Sequence, residues 1–96
     1  MINRTTEIIY QQMKQTTSFQ TASAAKKILN SIQSCEVSNQ VLGLAAVLIC
    51  MMHQYNLDHS EVMQIADNIV YSGNDSNMLP DFKVLQKYMK DEWRIN

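Results

Sequence analysis

Val41 to Met52 reads VLGLAAVLICMM, twelve residues without one polar side chain, in a 96-residue chain that is elsewhere mixed or amphipathic. With every position apolar, periodicity cannot separate strand from helix, so length and flanks arbitrate. Twelve is long for a strand and comfortable for a helix. Leu42, Leu44, Ala45, Ala46, Leu48, Met51 and Met52 are good helix formers, and Val41, Val47 and Ile49 are only mildly unfavourable. Ser38 is a candidate cap. Gly43 costs about 1 kcal/mol against alanine, but its missing side chain lets a neighbouring helix come close. The stretch therefore predicts a helix over residues 39–55, apolar on nearly all sides and so a central one packed round by others. A bilayer span needs about 20 apolar residues, so no membrane is expected, and the mid-chain position does not suit a signal peptide.

The flanking segments supply amphipathic neighbours. Residues 1–15 predict a short helix capped by Asn3 or Thr5, with Ile9 and Met13 on one side and a stripe blurred by Ile8 and Tyr10. From Ser18 to about Cys35, Ala22, Ala25, Ile28, Leu29, Ile32 and Cys35 share a face at helical spacing. Leu57-Asp58-His59-Ser60-Glu61-Val62 carries the sharpest local signal. Asp58 is the N-cap, Glu61 stands at the capping-box position, and Leu57 with Val62 forms a hydrophobic staple. That helix is expected to bury Val62, Ile65, Ala66 and Ile69 and to stop near Tyr71-Ser72, with Gly73 as terminator. Pro80 suits the first position of a last helix, running to about Arg94 and burying Phe82, Leu85, Met89 and Trp93. With two glycines and one proline the chain has few hairpin signals. The expected fold is all-α: a single domain over residues 1–96, a compact bundle of four to five helices around the central one.

Charge is segregated along the chain. Residues 1–27 carry +3, residues 28–82 hold six acids and no Lys or Arg, and residues 83–96 carry +2, for a net charge of −1. Such segregation suits intramolecular pairing, self-association or a charged partner, and the small net charge opposes self-association little. Cys35 and Cys50 fall in or beside helical apolar positions; with no secretory leader, reduced thiols in a cytoplasmic protein are expected rather than a disulfide.

No constellation carries chemistry. Cys50 and His53 stand three apart and His59 follows, with Asp58 adjacent, but this matches no structural zinc spacing. No third residue orients a Cys–His nucleophile and nothing marks an oxyanion hole. Residues 59–71 could be the second helix of a helix-turn-helix, but they offer no basic residue to phosphates. Neither a catalytic residue, a metal ligand nor a cofactor site is assigned. Seven methionines fall mostly at core-compatible positions, and 30 Gln, Asn, Ser and Thr residues make an uncharged polar surface.

One surface feature stands out. Lys83, Lys87, Lys90 and Arg94 recur at i, i+4, i+7 and i+11 on the last helix, within about 60° of arc. They form a candidate partner-binding strip opposite Phe82 and Leu85. The expected function is a small non-enzymatic interaction protein, a regulator, inhibitor or complex subunit acting by stoichiometric binding. In style it is similar to the small proteins that phages and mobile elements use against host machinery, although no motif carries that likeness. The alternative is a nucleic-acid or nucleotide binder using the basic ends. Because Met63, Val70, Met78 and Leu79 have no evident cover, a homodimer or higher homo-oligomer is expected.

Overall fold

The computed structural model describes residues 4–71 and 78–92, and these form five helices with no strand among them. In chain order they are α1 (Arg4–Gln15), α2 (Ser18–Ile32), α3 (Val37–Gln54), α4 (His59–Tyr71) and α5 (Pro80–Glu92). The all-α bundle expected from the sequence is what the chain adopts.

Local chemistry explains each boundary. At the head of α2, Thr17 accepts from the Gln20 backbone N–H at 3.1 Å while the Gln20 side chain accepts from the Thr17 N–H at 3.1 Å, a complete capping box. At the head of α4, the Asp58 carboxylate accepts from the Glu61 N–H at 3.0 Å. The returning half of that box is supplied from elsewhere: the Asp58 N–H donates to the Tyr10 hydroxyl at 2.6 Å, which ties α1 to the α3–α4 corner. Leu57 is half-buried and Val62 buried, as a staple requires. Helix α3 starts two residues earlier than expected, after Glu36, which makes no side-chain capping bond; Ser38 lies inside the first turn.

The end of α3 is the best-formed junction. Asn56 adopts φ 57°, the left-handed conformation that asparagine tolerates better than other non-glycine residues. The Leu57 N–H donates to the Met52 carbonyl at 2.8 Å and the Asn56 N–H to the His53 carbonyl at 3.3 Å. Those two bonds define a Schellman stop, and buried Met52 below half-buried Leu57 supplies its apolar seal. Thr6, almost fully buried, donates to the Tyr55 carbonyl at 2.8 Å and fastens α1 over the same corner.

Among the described residues the core is small: Leu29 of α2, Met52 of α3, Val62 and Ile65 of α4, and Phe82 of α5. Each such side chain stabilises by about 1.5–3 kcal/mol when fully covered. Helix α2 packs against both α4 and α5. Polar clips hold the α2–α5 seam: the Ser18 hydroxyl donates to Asp81 at 2.9 Å and the Tyr88 hydroxyl to Asn30 at 2.8 Å, with the Lys26 ammonium 5.6 Å from the Tyr88 ring centre.

This arrangement corrects the expected place of the apolar helix. Of the 18 residues of α3, the buried ones are Gln40 and Met52. The stripes of α2, α4 and α5 are spent on one another, so α2, not α3, is the helix its neighbours gather on. Further corrections follow from the same packing. Ile28 and Cys35, expected on the covered face of α2, are exposed, and Met89 of α5, expected buried, is only partly covered. Half-buried Val70, Met78 and Leu79 are less open than expected, and the Leu79 N–H donates to the Val70 carbonyl at 2.8 Å. Asn3, Gly73, Trp93 and Arg94 lie outside the described residues.

Candidate functional site

Helix α3 turns one narrow stripe toward the rest of the chain. Gln40, Leu44, Leu48 and Met52 recur every four residues; Gln40 and Met52 are buried, Leu48 half-buried and Leu44 only partly covered. The Gln40 amide donates to the Ile32 carbonyl at 3.0 Å, which anchors the start of α3 to the end of α2. Everything else on the helix meets solvent. Leu42 is 67% exposed, Val41 61%, Val47 60%, Ile49 58% and Met51 50%. Together those five side chains expose on the order of 500 Å² of apolar surface, at the upper end of the largest patch on a typical monomer.

The face turned furthest from the chain has an order of its own. Asn39, Leu42, Ala46, Ile49 and His53 fall at i, i+3, i+7, i+10 and i+14, the alternating three-and-four spacing of a helix that packs lengthwise on another. Beside this seam lie Gly43, Ala45 and Cys50, all small and all exposed. A Cβ built on Gly43 meets nothing within 4 Å. Among the described residues, the glycine's cost to the helix, about 1 kcal/mol, is thus not returned by close approach of another segment. Along one flank, Ala46, Val47, Cys50, Met51, Gln54 and Tyr55 line an open apolar trough of about 400 Å³.

Two other surfaces were candidates. Lys83, Lys87 and Lys90 are all exposed on α5, on the side away from buried Phe82; Arg94, the fourth member of the strip, lies outside the described residues. Between α2 and α5 a groove of about 280 Å³ is bordered by Phe19, Lys26, Val84 and Tyr88, with Phe19 and Val84 widely exposed. This groove had no sequence signal beyond two apolar residues off the main stripes.

Cys50, His53 and His59 are exposed and do not converge. Among the described residues, no three His, Cys, Asp or Glu side chains are placed to hold a metal ion. Helix α3 has the length and composition of a membrane-crossing segment. Its uninterrupted apolar run, however, covers about 18 Å at 1.5 Å per residue, against a hydrocarbon core of about 30 Å. Glu36, Asp58 and Glu61 flank it, and no Lys or Arg occurs between residues 28 and 82 to meet lipid phosphates.

The fold and surface define an all-α, five-helix protein with one uncovered apolar helix. No family model matches the sequence, and no curated protein or solved structure matches it significantly.

Proposed function

We propose that the protein is a small, non-enzymatic interaction module that acts by stoichiometric protein binding, with the open face of α3 as its principal docking surface. One observation carries this reading: an 18-residue helix without Asp, Glu, Lys or Arg, left largely exposed to water. An apolar patch at the upper end of what a monomer exposes is often a binding surface. The strip Lys83, Lys87 and Lys90 is a second, polar surface suited to an acidic partner. Its exposure also favours a second reading, binding of a nucleic-acid or nucleotide phosphate. Exposed Asp91 beside the strip and the acidic middle of the chain weigh against it.

The test is site-specific photocrosslinking in the native host. A photoreactive side chain replacing Val47 is expected to give discrete protein adducts, whereas one replacing Gln11, exposed on α1, is not. Diffuse or absent adducts from Val47, with those from Gln11 no different, would overturn the reading.

A further inference from the structure

We infer that the occupant of the α3 face is a second copy of this chain, whose α3 lies antiparallel across a two-fold axis near Ala46–Val47. The inference rests on the reading of α3 as a protein-binding face and names its partner.

Area is the first support. The chain exposes 7657 Å², whereas a folded monomer of 11.0 kDa exposes about 5,600 Å². Of this excess the α3 face supplies on the order of 500 Å², so two such faces together bury about 1,000 Å², the floor for a specific interface. The dimensions agree: a radius of gyration of 14.6 Å and extents of 47 × 28 × 19 Å exceed the radius of about 12.5 Å for a tightly packed chain of this length.

Self-complementarity is the second. A two-fold interface sets the same patch against itself, so any net charge on it meets its own sign. Helix α3 carries no Asp, Glu, Lys or Arg, which removes that penalty. Its polar groups bracket the apolar run at both ends: Ser38 and Asn39 before it, His53 and Gln54 after it. Reversing the helix about its middle places amide and hydroxyl groups of one end beside imidazole and amide of the other, with apolar residues between. Antiparallel alignment also sets each helix N-terminus beside the other's C-terminus, the favourable sense for their dipoles. The seam Leu42–Ala46–Ile49 supplies the interlocking side chains, and Gly43, Ala45 and Cys50 keep its margins low enough for a close crossing. Lipid is the poorer occupant, because the short run and its acidic borders fit neither the thickness nor the charge of a bilayer.

The natural cysteines report the geometry. Both are free and exposed. In the antiparallel pair the two Cys50 residues stand about 10 Å apart along the axis, whereas Cys35 precedes α3 and its two copies lie beyond opposite ends of the pair, more than about 25 Å apart. Sedimentation equilibrium of the full chain across the micromolar range should give twice the 11.0 kDa chain mass. A short bis-maleimide should join chains of the Cys35→Ser variant through Cys50 and should not join chains of Cys50→Ala through Cys35. The pair Leu42→Glu and Ile49→Glu should raise the dimer dissociation constant by about 100-fold or more while helix content is kept. Linking of equal yield through either cysteine, or a dimer indifferent to both substitutions, would overturn the inference. So would a wild-type monomer, and two probes then separate the causes. A monomer that binds bis-ANS at an α3-dependent site leaves the face open to another protein and the function reading intact. A monomer that binds phosphatidylcholine vesicles gives the face to lipid, and one that binds neither removes the docking face altogether.

Discussion

Replacing Leu42 and Ile49 by glutamine distinguishes a peripheral α3 from an enclosed one. In the isolated chain Leu42 is 67% and Ile49 58% exposed, so only about a third to two-fifths of each is shielded from water. Full burial of such a side chain stabilises by about 1.5–3 kcal/mol, and the shielded fraction scales this to about 0.5–1.2 kcal/mol each. Glutamine is close to leucine in helix propensity, so little is lost through the backbone. Truncating buried Leu29 to alanine is the comparator, expected to cost about 2–5 kcal/mol. Urea unfolding followed by circular dichroism, repeated over a range of protein concentrations, separates the two levels. At low concentration each α3 substitution should cost about 1 kcal/mol or less. At high concentration the difference from wild type should widen, because only wild type gains stability from pairing. A loss comparable to that of Leu29→Ala at every concentration would mean that α3 is wrapped by its own chain, and the docking face would disappear with it.

The Schellman stop predicts that Asn56→Ala costs about 1–2 kcal/mol, the penalty of left-handed backbone for an ordinary L-residue, while Asn56→Gly stays close to wild type; thermal unfolding measures both, and an unchanged alanine variant would deny the turn its role. Thr17→Ala should cost about 0.5–2 kcal/mol through loss of the α2 cap, and a double-mutant cycle with Gln20→Ala should reveal coupling, its absence marking the reciprocal bonds as incidental. Lys87→Glu with Lys90→Glu should move stability by no more than about 0.5 kcal/mol and weaken capture of an acidic partner with loss of its salt dependence. Wild-type protein titrated with duplex and single-stranded oligonucleotides should show no binding at low salt; affinity that falls steeply with salt would instead favour the phosphate-binding reading.

What the sequence discloses divides by the range of the forces involved. The α4 cap at Asp58, the staple positions Leu57 and Val62 and the start of α5 at Pro80 rest on neighbours within five residues, and each stands where the pattern puts it. The Thr17–Gln20 box has the same local spacing, but Thr17 sits in a run of polar residues, 15–18, that reads as a joint and so conceals it. The Asn56 stop was harder to see: asparagine is a weaker signal than glycine, and its role depends on Met52 and Leu57 meeting below it. Tyr10 at Asp58 and Thr6 at Tyr55 cross almost fifty residues, and nothing in the local pattern announces either bond.

The misplacement of α3 has a different cause. An all-apolar run specifies that surface should leave water; it does not specify which molecule removes it. For a central α3, the chain would need three stripes free to face inward. Leu29, Val62, Ile65 and Phe82 occupy those of α2, α4 and α5 on one another, and α1 gives its buried Thr6 and its Tyr10 to the α3–α4 corner. What remains for α3 is the single line from Gln40 to Met52. The seam of Leu42, Ala46 and Ile49 lies beyond that line, where its apolar character has no intramolecular use. Residues that build no core among the described residues, that carry no charge to hold water and that flank a glycine with no described neighbour within 4 Å are what the proposed contact from outside the chain would use.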